Sequence, residues 1–373
     1  MSYKIALLPG DGVGSDVLEA AKGVLDAIGF EAEYIYGDIG WEFWCKEGNP
    51  LPDRTIDLLK STDCALFGAI TSKPKDEAAA ELDPSLKDKG FVYSSPIVGL
   101  RQLFGLHTNL RPCKAYAGNP LNLRDDIDLV VFRENTQGLY SGVEWHPVPD
   151  EIKAAFATHP RFKNFAGVSG DDLAISTRIF TRDGCRKILT SGFEYAKKHG
   201  YKTLTVVEKP NVIRETSGLM IREARQMVKD YPGIELWETN IDAMCMWLVK
   251  NPQDYGVMVS SNMFGDILSD LSAQIVGGLG FACAGNISDD YAVFEPTHGS
   301  APKYVGQNKV NPIAMIRSAK MMLDYLGETE KAGKIEAAVA NTIREGRLQT
   351  YDMGGTTTTT EMAEAIAAAA KGA

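Results

Sequence analysis

The stretch Lys4-Ile5-Ala6-Leu7-Leu8-Pro9-Gly10-Asp11-Gly12-Val13-Gly14-Ser15 decides the class of this protein. An apolar run ends in a glycine-rich turn. The chain then passes into Ser15–Ile28, where Val17, Leu18, Ala21, Val24, Leu25 and Ile28 recur at helical spacing. This reads as a buried strand, a tight turn and an amphipathic helix. Glycines in such a turn let backbone N–H groups approach an anion. The dinucleotide fingerprint Gly-x-Gly-x-x-Gly fails, because Ser15 stands where its third glycine belongs, and no P-loop lysine follows. A plain tight turn and an anion cradle both stay open. A standard Rossmann site does not.

The same alternation continues along the chain. Glu33–Tyr36, Cys64–Ile70, Ile127–Phe132, Thr203–Glu208 and Tyr255–Ser260 read as strands. Pro52–Lys60, Arg178–Lys198, Ser217–Tyr231 and Ile241–Lys250 read as helices between them, and from Asn311 onward Pro312–Leu326, Thr329–Glu345 and Thr360–Lys371 are helical. Strands alternating with helices predict an α/β protein with a largely parallel sheet. Trp145–Asp171 lacks periodicity and reads as an insertion or arm. A length of 373 residues favours two domains or one large α/β unit. With no Gly/Ser linker and no long repeat, two domains would interleave.

Composition excludes several classes. With 44% hydrophobic and 24% charged residues the chain is not disordered, collagen-like or a coiled coil. No run approaches the roughly 18 apolar residues of a membrane span. The apolar run near Met1 is too short for a signal peptide, so the expectation is a cytoplasmic protein without a membrane partner. A net charge of −10 disfavours nucleic acid as a partner, and an anionic substrate would need a local cluster of arginine or lysine. The six cysteines form no C-x-x-C pair and read as reduced thiols.

Several constellations carry chemistry. Asp266 and Asp270 lie four apart in Gly265-Asp266-Ile267-Leu268-Ser269-Asp270, which puts both carboxylates on one face of a helix. Hard oxygen ligands so placed suit Mg²⁺ or Mn²⁺, with Asp242 as a third ligand; a solvated helix face is the bland alternative. Apolar neighbours such as Phe264, Ile267 and Leu268 predict a mostly buried helix, and buried carboxylates need a partner. Arg101, Arg111 and Arg133 each sit amid apolar or turn residues. Together they could grip a polycarboxylate bidentately; singly each is a structural ion pair. Tyr140 and Lys209 each follow a predicted strand and could exchange protons beside a metal, against default readings as core tyrosine and surface lysine. Glu295-Pro296-Thr297-His298-Gly299-Ser300-Ala301-Pro302-Lys303-Tyr304, with Asn311-Pro312 downstream, could wrap a flat ring, or be an ordinary loop.

Taken together, these segments resemble the β-decarboxylating dehydrogenases: the isocitrate, homoisocitrate and 3-isopropylmalate dehydrogenases. The similarity runs in order from Gly10-Asp11-Gly12 to Tyr351-Asp352, and the pairing of Gly265–Asp270 with Glu295–Pro302 is its most specific part. It implies an isopropylmalate-dehydrogenase-like two-domain fold with a non-Rossmann nucleotide site. Residues 1–106 and 277–373 would form the large nucleotide-binding domain. Residues 107–276 would form the small domain, with the dimer interface and an arm near 145–171. The implied assembly is a homodimer or dimer of dimers, with Lys209 and Asp242 reaching into the partner's cleft.

The resemblance also implies roles. Asp266, Asp270 and Asp242 would hold Mg²⁺ or Mn²⁺. Ser95, Arg101, Arg111 and Arg133 would bind a hydroxy-tricarboxylate, with Tyr140 and Lys209 catalytic. His298, Gly299, Ser300, Ala301, Lys303, Tyr304, Asn311 and Tyr351 would bind the nucleotide. NAD-dependent relatives carry Asp-Ile where Lys303-Tyr304 stands, and Tyr351 matches an NADP-side tyrosine, so the expected cofactor is NADP, with NAD the alternative. The family's further arginine falls at Gly355. Ser95 fits an isocitrate enzyme, whereas Ile97 cannot donate a hydrogen bond to a carboxylate and resembles homoisocitrate enzymes. The expected reaction is oxidative decarboxylation of isocitrate to 2-oxoglutarate, as in the tricarboxylic acid cycle. The alternatives are homoisocitrate or 3-isopropylmalate with NAD. Ser95 also matches a serine phosphorylated in some isocitrate dehydrogenases, where a phosphate would repel a substrate carboxylate. A silent regulatory subunit would lose the metal aspartates or the His-Gly-Ser loop, and this chain keeps both. A metal-dependent hydrolase would not need the His298 loop.

Overall fold

The opening apolar run forms β1 (Tyr3–Gly10), in which Ile5, Ala6, Leu7 and Leu8 are fully buried. A strand covered on both faces has no alternation to show, which is why the run reads as continuously apolar. The computed structural model describes residues 3–372. The strands after β1 are β2 (Ala32–Tyr36), β3 (Cys64–Ala69), β4 (Thr108–Lys114), β5 (Asp128–Glu134), β6 (Glu144–Trp145) and β7 (Ile175–Ser176). Then come β8 (Thr203–Glu208), β9 (Glu235–Asn240), β10 (Val257–Ser260), β11 (Cys283–Ile287) and β12 (Ala292–Pro296). Ten of them make one sheet in the order β2-β1-β3-β12-β11-β4-β5-β10-β8-β9, and β6 pairs only with β7.

Both flanks of the sheet are parallel, as the alternation predicts. Its centre is not: β12–β11, β11–β4 and β4–β5 are antiparallel. Three of the strands absent from the sequence reading, β4, β11 and β12, build that centre; β9 was also missed. The helices expected from periodicity are present within a few residues of their predicted ends, from Gly14–Ala27 to Thr359–Gly372. Short helices at Trp41–Glu47, Lys75–Ala80 and Pro96–Leu103 were not expected. The segment 145–171 is not featureless either, since it carries the helix Asp150–Ala157 beyond the small β6–β7 ribbon.

Two large apolar clusters hold the flanks. Val17, Leu18, Met322 and Ile335 pack with Leu7 and Leu66 on one side of the β1 flank. Ile188, Leu189, Phe193 and Met220 pack on Phe132, Val206 and Val259 of the other flank. Each such buried side chain contributes about 1.5–3 kcal/mol. An exposed ion pair such as Arg124–Asp126 is screened by water and salt and adds little, so the clusters and not the surface charges hold the fold. All six cysteines are free, as expected. No helix among the described residues is long and apolar enough to cross a membrane.

Candidate active site

The glycine-rich turn after β1 is a structural pin. Gly10 and Gly12 have φ of +68° and +59°, and a Cβ on them would lie 1.9 Å from the Ala69 carbonyl and 2.0 Å from that of Ser300. The N–H groups of Asp11, Val13 and Gly14 donate to Ala69, Ser300 and Asp11 carbonyls at 2.8, 2.9 and 3.0 Å. Asp11 accepts the N–H groups of Trp41 and Thr71 at 2.6 and 2.8 Å. Burial raises its pKa, and those two bonds oppose the rise. Three of the loop's donors are consumed inside the fold, which favours the tight-turn reading. What the turn positions is the segment around Ser300.

Beyond this turn, a cavity of about 350 Å³ is lined by Ser95, Ile97, Val98, Arg101, Arg111, Arg133, Tyr140, Asp266, Glu295 and His298, among others. The fold brings the three arginines together. Arg101 comes from the helix Pro96–Leu103, Arg111 from β4 and Arg133 from β5. All three are buried, at 6%, 8% and 2% exposure. Such guanidiniums need anions. Arg133 is paired with Asp266, Arg111 with Asp270 at 3.1 Å and Asp266 at 3.5 Å, and Arg101 with Glu295 at 3.3 Å. Burial, and then the charges of Arg111 and Arg101, push the pKa of Arg133 down. Burial lowers that of Arg101 too.

Asp266 and Asp270 lie on the helix Asn262–Gln274 with their carboxylates one turn apart, as the spacing predicts. The helix is less buried than expected: the Asp270 side chain is 60% exposed and Ile267 is 50% exposed. Partial burial, with the Arg111 charge opposing, leaves the Asp270 pKa raised. The Tyr140 hydroxyl donates to Asp266 at 2.7 Å, and its ring lies 5.1 Å from the Arg133 guanidinium. Burial and that hydrogen bond raise the phenol's pKa, so at neutral pH it keeps its proton. Lys209, after β8, and Asp242, on the helix Ile241–Lys250, lie elsewhere and form an ion pair with each other. That pair holds the Asp242 pKa down.

A second cavity, of about 500 Å³, is lined by Val13, Gly277, Gly278, Gly280, His298, Gly299, Ala301, Asn311, Tyr351 and Asp352, among others. His298 and Gly299 line both cavities and so form the wall between them. His298 Nδ1 lies 3.0 Å from the Gly299 carbonyl, which places the ring proton there, while buried Nε2 has no partner. Burial pushes the imidazole's pKa down, so the ring is neutral. Ser300 does not line the cavity; its hydroxyl bonds that of Thr71 at 2.6 Å. Lys303 and Tyr304 stand outside it, and the Tyr304 ring packs on Tyr351 with centroids 4.9 Å apart. The Lys303 and Lys309 ammoniums lie 4.8 and 5.2 Å from the Tyr304 ring, and hydrogen bonding and charge from Lys303 lower the phenol's pKa.

The residues fit the groups that such a site implies. Asp266 and Asp270 offer hard oxygens to a divalent cation. Among the described residues no three His, Cys, Asp or Glu side chains cluster so as to hold a metal ion. The unpartnered His298 Nε2 and the glycine-lined wall suit a flat ring and a sugar. Sequence reasoning missed Glu295, Lys309 and Asp352. Glu295 lies inside the quoted motif, and nothing in its spacing pointed to Arg101.

Comparison with known proteins agrees with this geometry. The family described as isocitrate/isopropylmalate dehydrogenase matches residues 4–366. Protein DlpA of Legionella pneumophila is 40% identical over 365 residues, covering 97% of this chain, which spans only 58% of that protein's length. A 3-isopropylmalate dehydrogenase of Archaeoglobus fulgidus is 39% identical over 98% of both chains. A crystal structure of isocitrate dehydrogenase from Methylococcus capsulatus superposes with a TM-score of 0.86 at 36% identity, covering 99% of each chain.

Proposed function

We propose, from the premise that this chain belongs to the isocitrate/isopropylmalate dehydrogenase family, that it oxidatively decarboxylates isocitrate with NADP and a divalent metal ion. One observation carries the reading. Three buried arginines, Asp266 and Tyr140 meet in a cavity whose wall, His298, is shared with a second cavity suited to a nucleotide, and Asp270, one helical turn on from Asp266, pairs with Arg111 at 3.1 Å.

A dinucleotide bound beside His298 would supply a hydride acceptor for the hydroxyl-bearing carbon, and a divalent ion would supply the Lewis acidity that lets the β-carboxylate depart as CO₂ from the ketone so formed. The chain supplies the rest. Arg101, Arg111 and Arg133 take the substrate carboxylates, with Ser95 at the cavity wall. Asp266 and Asp270, with Asp242 of a second copy, hold the ion. These two aspartates now neutralise Arg111 and Arg133, so each carboxylate turned to the ion frees a guanidinium for the acid. Lys209 of the second copy helps remove the hydroxyl proton. Tyr140, a neutral phenol, returns a proton to the carbon that lost CO₂.

The exposed apolar side chains Met246, Val249 and Ile267 fit a homodimer that buries this face. The cleft would then divide a domain of residues 1–106 and 277–373 from one of 107–276. In support, the two large apolar clusters draw on different halves of the chain, Tyr116 apart. Lys303 and Tyr304, with Lys309 beside them, favour the 2′-phosphate of NADP.

Ile97 and Val98 line the acid cavity with aliphatic surface, and this favours a second reading: homoisocitrate or 3-isopropylmalate with NAD. Isocitrate, homoisocitrate, 3-isopropylmalate and tartrate should each be offered with NADP and NAD in the presence of Mg²⁺ or Mn²⁺. Isocitrate with NADP should reduce the nicotinamide fastest. Turnover of none of the acids would overturn the whole reading.

A further inference from the structure

Each arginine of the cleft is held from behind by an asparagine. Arg101 Nε donates to Asn286 Oδ1 at 3.0 Å and Arg111 Nε to Asn109 Oδ1 at 2.6 Å. Arg133 donates from Nε and Nη2 to Asn262 Oδ1 at 3.0 and 2.7 Å. All three asparagines are fully buried, at 0% exposure. Two of them are also joined: Asn109 Nδ2 donates to Asn286 Oδ1 at 2.7 Å, and Asn286 Nδ2 donates to Glu295 Oε1 at 2.7 Å.

Asn262 is the informative member. Two guanidinium donors face its amide, so the oxygen must point at Arg133. The amide nitrogen is then buried with no hydrogen-bond partner. An unpaired buried donor costs stability, and its persistence asks for an explanation. Aspartate has the same shape, would leave no orphaned donor and would pair with Arg133 more strongly. It would also cancel the charge of Arg133. A neutral carbonyl aligns a guanidinium without neutralising it.

We propose that Asn109, Asn262 and Asn286 are positioning residues that aim the three arginines, and that Asn109 and Asn262 do so while preserving the positive charge of Arg111 and Arg133 for the substrate's carboxylates. The inference rests on the reading of the arginines as the carboxylate clamp. It adds that amide chemistry behind them, not packing alone, sets the affinity for the acid.

The test compares Asn262→Asp and Asn262→Ala with the wild type, measuring KM for the hydroxy-acid that the wild type oxidises, KM for the nucleotide, kcat and thermal stability. With Arg133 neutralised, Asn262→Asp should raise the acid KM at least about tenfold, the scale of a charge-assisted hydrogen bond to a carboxylate. Nucleotide KM should not move, and the fold should be as stable or more so. Asn262→Ala, which frees Arg133 from its aim but not from its charge, should raise the acid KM less. A merely structural role would instead lower stability in both variants with the acid KM unchanged, and that result overturns the proposal. Should Asn262→Asp not fold, Asn109→Asp puts the same question to Arg111: the acid KM should rise by the same factor, an unchanged acid KM overturns the proposal, and stability should fall because the hydrogen bond that Asn109 donates to Asn286 is lost. Failure of the wild type to oxidise any of the acids would sink the assignment of the cleft, whereas an unchanged KM in an active enzyme sinks only the role of the asparagines.

Discussion

At the scale of single residues, Tyr140 is the group whose chemistry depends most on its surroundings. Its hydroxyl is bonded to Asp266 and its pKa is raised by burial and that bond, so it holds a proton to give. Tyr140→Phe should lower kcat by about 10²–10⁴-fold, the usual weight of a positioned acid, with little change in acid KM; steady-state kinetics of the two parameters would check this. Charged and aromatic members of the site could be read from sequence because their chemistry is conspicuous: Asp266 and Asp270 at one-turn spacing, Arg133 at a strand end, His298 in a Gly- and Pro-framed loop. Asn109, Asn262 and Asn286 could not, because a neutral amide has no period and no charge to betray it. Glu295 was passed over for a related reason. Its partner Arg101 lies far away in sequence, and only the packing of the helix Pro96–Leu103 against β12 brings them within 3.3 Å.

At the scale of elements, the flanking strands other than β9 were legible, and the central β4, β11 and β12 were not. β8 reads Thr203-Leu-Thr-Val-Val-Glu208, and its burial matches its apolar character. β4 holds Asn109, Arg111 and Pro112, and β11 holds Gly285 and Asn286. Polar and helix-neutral residues there break the strand signal because they build the cleft, a conflict expected where function overrides local preference. The turn after β1 gives a sharper test. A methyl group on Gly12 would collide with the Ser300 carbonyl and push the His298–Ala301 segment from its place. Gly12→Ala should raise nucleotide KM by at least about tenfold and also cost stability, because strained backbone and lost contacts together run to about 1–3 kcal/mol; both follow from nucleotide titration and thermal melts. At the far end of the same segment, Lys303→Asp with Tyr304→Ile should shift preference from NADP towards NAD, read as the ratio of kcat/KM for the two. An unchanged ratio would remove the basis for assigning NADP.

At the scale of the whole molecule, stability should depend on pH in a stated direction. Burial lowers the pKa of His298 below its ordinary 6.5. The unfolded chain therefore takes up a proton that the fold refuses. The stability this contributes is complete above pH 6.5 and declines as pH falls below it towards the folded value. Glu336 acts lower down: burial pushes its carboxyl up, but Arg317 and Lys114 outweigh that and leave it below 4.5. Its contribution is present above that value and is lost as pH falls through the folded pKa. Denaturant melts across pH 3 to 7 (a range of roughly four units about these ordinary values) should lose part of their slope below pH 6.5 in His298→Asn and part of their acid limb below pH 4.5 in Glu336→Gln. Assembly has its own test. If Lys209 serves a neighbour's cleft, Lys209→Ala and Arg133→Ala are each inactive alone. Subunits mixed and reassembled should regain activity, and absence of any recovery would argue for self-contained sites.

The partition formed by His298 and Gly299 has a consequence for how enzymes of this design can diverge. A single turn of chain is a wall of two rooms, so any change in it is felt by both occupants at once and is hard to accept. On the proposed reading, Lys303, Tyr304 and Lys309, grouped beside Tyr351, would meet only the nucleotide, and the aliphatic side chains of Ile97 and Val98 would meet only the acid. Coenzyme preference and acid preference can therefore be rewritten independently from opposite ends, while the shared turn stays as it is.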